Sequence, residues 1–346
     1  LKECKLIVWD ECAMAHKRAL EAIDRSLQDI LNCKSLMGGL TIVLSGDFRQ
    51  ILPVVPKGTK ADEVRAYLKS SSLWRHVKTL KLSTSMRAYL HGDRASDQFA
   101  ANLLALGEGK NFIDHTDMVN PAAYSIVVNI VQELVSRVFT NIVQNYLKHD
   151  WLCERVIIAP KNVMVNNINN HLLNAIPGNK YIYKSIDSVQ DVNQAVNYPI
   201  ELLNSLEPPG LPPLCLQLKI GGPIMLLRNL DQPTLCNGTR LIIKKMTPNV
   251  MEAKIITGCG KGKEVFIPRI PLIPSDLPFT FKRLQFPIRL SFAMSINKSQ
   301  GQTLAVAGLQ LEEPCFSHGQ LYVGCSRVGS PDNPVSYTHL TLPTKA

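Results

Sequence analysis

Two short apolar runs that end abruptly in charged or amide side chains constrain this chain more than any other feature. Leu6-Ile7-Val8-Trp9 runs straight into Asp10-Glu11, and Leu40 to Leu44 runs into Ser45-Gly46-Asp47-Phe48-Arg49-Gln50. Short continuous apolar runs of this kind read as strands of a parallel sheet, buried on both faces under helices. Open α/β sheets bind their ligands beyond the carboxyl ends of the strands, where Asp10, Glu11 and Gln50 fall. Two adjacent carboxylates there suit a nucleotide triphosphatase, one holding Mg²⁺ and the other orienting the attacking water. Gln50, from the neighbouring strand, could reach the γ-phosphate or that water. An ordinary acidic turn after a buried strand is the competing reading of the carboxylate pair alone. The second run tips the balance toward phosphoryl chemistry.

A chain of 346 residues is long enough for two domains, and 45% hydrophobic against 19% charged residues excludes a disordered one. The net charge of +10 suits a polyanionic partner such as nucleic acid. Nine cysteines, an odd count without a C-x-x-C pair, argue against a zinc site or a disulfide framework. Buried, inert thiols in a reduced compartment are expected instead. No apolar run approaches the ~20 residues that span a bilayer, so no membrane partner is expected. The first residue is Leu and a strand follows almost at once, which reads as an interior cut.

Between the two runs, Met14, Leu20, Ile23, Leu27, Ile30 and Leu31 recur at helical spacing, and Gly38-Gly39 ends that helix. Further on, the pattern predicts a short helix over 72–77, a strand over 79–82, and helices over 96–106 and 126–138. Arg155 to Ala159 reads as a buried strand, followed by Pro160-Lys161-Asn162 and a helix through Leu173. The five prolines between 199 and 213 forbid regular helix or central strand. Glycine-separated apolar runs from about 217 to 275 predict a small, lysine-rich β-barrel or sandwich. Ile288 to Met294 then leads into Ser295 to Thr303, polar groups around Gly301 that suit phosphate contact at a strand-to-helix turn. Arg327 closes a further short segment, in a position to act as an arginine finger.

The ordered set WDECAM, GDFRQILPVV, STSMR, VIIAPKNVMVNNINNHLL, YIYKSIDSV, NSLEPPGLPP, GGPIMLLRNLD, CNGTRL, PIRLSFAMSINKSQGQTL and LYVGCSRV resembles the Pif family (petite integration frequency) of ATP-dependent DNA helicases. It resembles the Helitron-associated type in particular, and the similarity runs from about Leu6 to about Val328. The resemblance implies an α/β fold of two RecA-like domains, about 1–122 and 123–333, with a small β domain at about 217–275 in the second. It implies ATP as substrate with Mg²⁺, Asp10 as the metal-holding aspartate, Glu11 as the catalytic glutamate and Gln50 as the γ-phosphate sensor. Arg87 and Arg327 resemble the two arginine fingers. Lys298, Gln300, Gly301 and Thr303 match the motif linking DNA contact to nucleotide state, and Pro160, Lys161 and Asn162 match a DNA-facing turn. The implied partners are single-stranded DNA and duplex junctions, tracked 5′-to-3′ by a monomer, in the nucleus or the mitochondrion.

Three departures stand out. Lys161 replaces a common Thr, Gly324-Cys325 replaces the usual Ala-Leu, and no G-x-x-x-x-G-K-[ST] phosphate cradle occurs in the chain. Residues 334–346 resemble a translated sequencing adapter, so they are expected to lie outside the fold. A transposon-derived, catalytically inactive nucleic-acid-binding protein is the alternative reading, although decay would not selectively spare Asp10, Glu11, Gln50, Arg87 and Arg327. A P-loop ATPase acting on protein or RNA is a third.

Overall fold

The computed structural model describes residues 3–55, 58–82, 94–110, 118–119, 121–189, 198–208, 210–274, 279–330, 332–337 and 342–343. It forms two compact units. The first contains Leu1–Asn129, Ser299–Thr303 and Leu309–Ala346, and the second contains Ile130–Lys298 and Leu304–Gly308.

In the first unit, β1 (Leu6–Trp9) and β2 (Thr41–Leu44) pair in parallel, with Leu6 opposite Thr41 and Trp9 opposite Leu44. The helix α1 (Lys17–Leu31) presents Leu20, Ile23 and Leu27, three and four residues apart, to one face of this pair. Ile7, Trp9, Ile42, Leu44, Met37 and Leu68 complete that core. Buried Asp24 ties the connection down, accepting from the Met37 amide at 2.6 Å and from Gln28 Nε2 at 2.9 Å. The other face is open. Leu6, Val8 and Val43 are 51%, 62% and 45% exposed, so the expectation of strands buried on both faces is corrected. Two strands and one packed face leave alternate side chains in water.

Other expectations for this unit are also revised. Residues 79–82 form no strand, with Leu80 and Leu82 exposed, because they gain no ladder partner among the described residues. The stretch 126–138 divides into a strand, Ile126–Val128, and a helix, Val131–Val138, the latter starting the second unit. Pro334–Tyr337 is a buried strand pairing in parallel with Ile126–Val128, so the first four residues of the supposed external tail pack inside the fold. Val335 and Tyr337 are buried in the core, and Ser336 Oγ meets Ser125 Oγ at 2.6 Å.

In the second unit, Arg155–Ala159 is a buried strand in parallel register with Ala293–Ser295, and the helix Asn162–Ala175 packs on both. The expected barrel is instead a set of open antiparallel sheets. Pro223–Leu226, Arg240–Met246, Val250–Ile255, Glu264–Pro268 and Ile288–Leu290 make five strands of one, and no closed barrel occurs among the described residues. The proline-rich stretch does contain a short helix, Ile200–Ser205, since Pro199 lies at its N-cap and leaves the interior proline-free. Arg240 is fully buried and its guanidinium donates to the carbonyls of Cys153 (2.8 Å), Leu152 (3.1 Å), Arg155 (3.2 Å) and Ser291 (3.3 Å). It clamps the antiparallel sheet to the α/β layer, and burial lowers its pKa to about 10.

All nine cysteines are free. Cys12 and Cys325 are buried, while Cys215 and Cys259 are exposed, which corrects the expectation of uniformly buried thiols. Both exposed residues lie at sheet edges or turns, where a small side chain meets water.

Candidate functional site

The carboxyl ends of β1 and β2 converge on the residues singled out from the sequence. Ser45 N donates to Trp9 O at 2.9 Å and Cys12 N to Ser45 O at 2.9 Å, which stitches the two strand exits together. Gly46 sits close against that stitch, where a Cβ would come within 3.1 Å of Ala13 N and 3.3 Å of Cys12 N. Asp10 is exposed and accepts from the Glu11 amide at 3.0 Å. Glu11 itself takes left-handed backbone angles, φ 50° and ψ 35°, a conformation that costs a non-glycine residue about 1–2 kcal/mol. Such strain concentrates at functional sites.

Three of the predicted residues carry buried polar atoms with no hydrogen-bond partner among the described residues. They are Glu11 at Oε2, Gln50 at Oε1, and Gln300 at both ends of its amide. A buried polar atom without a partner costs about 1–3 kcal/mol, so folded proteins retain few of them. All three residues belong to the first unit.

The turn that follows β2 is held by Asp47, Arg49 and Tyr322. Asp47 Oδ1 accepts from Arg49 Nε at 2.8 Å and from the Arg49 amide at 3.1 Å, and Asp47 Oδ2 accepts from Tyr322 Oη at 2.9 Å. Tyr322 belongs to the helix Gln320–Cys325, and the Arg49 guanidinium lies 5.8 Å from its ring centroid. Burial opposes ionisation of Asp47, but the Arg49 and Tyr322 hydrogen bonds outweigh it and hold the carboxyl below its ordinary value. Burial, with the adjacent carboxylate, pushes the Tyr322 phenol up to about 12. Gly319 precedes that helix and abuts Gln50, where a Cβ would lie 2.6 Å from the Gln50 carbonyl carbon and oxygen. The sequence signal was the acid-x-basic spacing of Asp47 and Arg49. Their partner 275 residues away had none.

Arg327 is buried. Its Nε donates to Val323 O at 2.8 Å, Nη1 to Ser299 O and Gln302 O at 3.3 Å each, and Nη2 to Ser326 Oγ at 2.9 Å. It therefore fastens the loop bearing Gln300, Gly301 and Thr303, and Gly301 uses a positive φ of 76° to make that loop's turn. Arg87 lies outside the described residues.

In the second unit, Pro160 follows the strand Arg155–Ala159, Lys161 is the N-cap of the next helix, and Asn162 opens it. Arg289 Nη1 donates to Asn162 Oδ1 at 3.2 Å, and Lys298 Nζ to Asn237 Oδ1 at 3.0 Å. Loss of hydration first, then the neighbouring charges of Arg289 and Arg228, lower the Lys298 pKa. Burial also lowers that of Arg289, against a smaller opposing pull from Glu207. Lys298, lying in the field of both arginines, forms with them an anion-attracting patch, in which Arg228 and Arg289 carry no sequence signal of their own.

A family profile described as PIF1-like helicase matches residues 1–117, and one for the DNA helicase Pif1 2B domain matches 201–246. The chain is 26% identical to ATP-dependent DNA helicase PIF1 of Danio rerio over 331 residues, covering 94% of this chain and 45% of that protein. It is 25% identical to ATP-dependent DNA helicase Pif1 of Bdellovibrio bacteriovorus, covering 95% of this chain and 65% of the relative. The chain thus spans about half the length of the vertebrate relative. Among solved structures, Pif1 helicase from Candida albicans superposes with a TM-score of 0.68 at 21% identity, covering 98% of this chain and 72% of that one. Bacteroides Pif1 bound to ssDNA gives 0.66 at 19%, covering 99% and 72%. These likenesses carry the α/β, RecA-like fold.

Proposed function

We propose that this chain, a relative of the PIF1-like helicases, is part of an ATP-driven DNA helicase that moves 5′-to-3′ along single-stranded DNA and opens duplex junctions. The observation that carries the reading is the pair of buried polar atoms on Glu11 and Gln50 that have no hydrogen-bond partner among the described residues, beside a strained Glu11 backbone. Polar groups kept at such a cost suit a polar ligand, and the nucleotide triphosphate is the one these residue types serve.

Asp10 and Glu11 offer hard carboxylate oxygens, the donors Mg²⁺ takes. Asp10 would hold the ion, which supplies charge neutralisation at the phosphates when bound. Glu11 orients water, Gln50 senses the γ-phosphate and Arg87 neutralises transferring charge, whereas Arg327, bonded here to the Ser299 and Gln302 carbonyls, would take that role only on leaving them. Lys298, Gln300 and Thr303, with Pro160, Lys161 and Asn162, face DNA. The protein acts in replication, repair, recombination or telomere maintenance, in the nucleus or alternatively the mitochondrion, and its origin is Helitron-type. It works as a monomer on DNA, a stoichiometry to be measured, since one structural relative is described as two coordinating Pif1 helicases at forked dsDNA.

Anisotropy titration of residues 1–346 with labelled single-stranded DNA tests the DNA half of this reading. Affinity should fall steeply with salt, and Lys298→Ala or Arg228→Ala should each reduce the logarithmic slope by about 0.7. Salt-independent binding, or none, would overturn it. In an ATP-hydrolysing form of the protein, Glu11→Gln should abolish turnover while nucleotide still binds.

A further inference from the structure

A cavity of about 380 Å³ opens in the second unit beside the cation patch. One wall is a ridge of amides, Asn162, Asn166 and Asn170, spaced four residues apart on the helix Asn162–Ala175. Residues so spaced stand above one another on one face, with a rise of about 6 Å per step. The lining also includes Pro208, Pro212 and Pro213, rigid apolar surfaces, and the carboxylate Glu207. Arg289 belongs to both features, since it lines the cavity and stands in the electrostatic field of Lys298.

Several neighbouring lining groups are already committed. Asn169 spends its amide on Leu290 O, Ala293 O and Ala293 N, and Arg283 is locked on Asp187 at 2.6 Å. Asn166 and Asn170 have no such structural duty among the described residues. Both are exposed, and asparagine is a poor helix former, so neither is explained by packing or propensity.

We propose that the cavity takes the base of one nucleotide unit, whose phosphate rests on Arg289, Lys298 and Arg228. A carboxamide can give and accept a hydrogen bond at once, which matches the mixed donor and acceptor edge of a nucleobase. The prolines offer a flat apolar surface to the base, and the cation patch takes the charge. The nucleotide unit could belong to a DNA strand or be free in solution. The strand is the occupant that follows from the proposed helicase function, on which this step of the inference rests.

The test compares residues 1–346 with the Asn166→Ala/Asn170→Ala variant, in which alanine at exposed helical positions favours the helix. Each is titrated with oligothymidylate, with an all-abasic oligomer of equal length, and with thymidine monophosphate. The unsubstituted chain should prefer the base-bearing oligomer by about tenfold, the scale of one lost base contact. The variant should bind both oligomers alike at an unchanged melting temperature. Equal binding of the two oligomers by the unsubstituted chain, or a preference that survives in the variant, overturns the pocket and leaves the DNA reading standing. Binding of the mononucleotide alone, lost in the variant, supports the pocket while overturning the DNA strand as its occupant. Binding of none of the three overturns both.

Discussion

At the scale of single residues, Arg327 departs most from what an arginine finger suggests. A finger waiting in solvent would be removable without loss of stability. Arg327 instead donates four hydrogen bonds within its own chain, three of them to main-chain carbonyls. Arg327→Ala should therefore destabilise the protein by about 2–4 kcal/mol in urea unfolding, because charged hydrogen bonds are lost and buried carbonyls are orphaned. An unchanged midpoint would show that the guanidinium is not structural. Tyr322 makes a second residue-scale prediction. Its phenol is raised to about 12, so the folded form stays protonated where the unfolded chain, near 10, ionises. Its stabilising contribution is complete below about pH 10 and is lost as pH rises toward 12. Tyr322→Phe should flatten the fall in melting temperature across that window. An equally steep fall in the variant would remove Tyr322 as its source.

Whole elements show where the sequence was readable. α1 and the helix Asn162–Ala175 were legible because their apolar positions recur every three or four residues. The buried strand Arg155–Ala159 was legible because its last four residues, Val156 to Ala159, form an unbroken apolar run. Leu80 and Leu82 misled, since an apolar run becomes a strand only where a neighbour accepts its ladder. The β insertion was readable as strands but not as open sheets, because closure depends on pairings that local composition does not encode. At the site, Asp10, Glu11 and Gln50 stood out by following apolar runs, whereas Tyr322, Arg228 and Arg289 are brought in by tertiary contacts. Pro334–Tyr337 resembles a translated adapter in sequence, yet it is a buried strand. Deleting residues 334–346 should then lower the melting temperature measurably, since Val335 and Tyr337 leave the core and Ile126–Val128 loses its ladder. An unaltered transition would return the segment to the status of an appendage.

On the scale of the whole molecule, each of the two units is stabilised internally by a different device. The first relies on one amphipathic helix against a narrow parallel sheet, with polar atoms kept buried at its strand exits. The second is braced by Arg240, whose single side chain bonds to carbonyls from three separate parts of its unit. Arg240→Ala should cost about 3–5 kcal/mol, as removal of a deeply buried hydrogen-bonded charge does, with the loss read from chemical denaturation. A cost below 1 kcal/mol would mean that water replaces the guanidinium.

The uncovered side of β1 and β2 has a practical consequence for anyone handling this protein. Leu6, Val8 and Val43 give neighbouring molecules a sticky strip backed by a flat ladder edge. Self-association should thus rise with concentration, visible as growing light scatter in stored samples. Val8→Lys with Val43→Lys should suppress that growth without altering the salt dependence of DNA binding. If the doubly charged variant clouds as quickly as the parent, the strip is not what drives the molecules together.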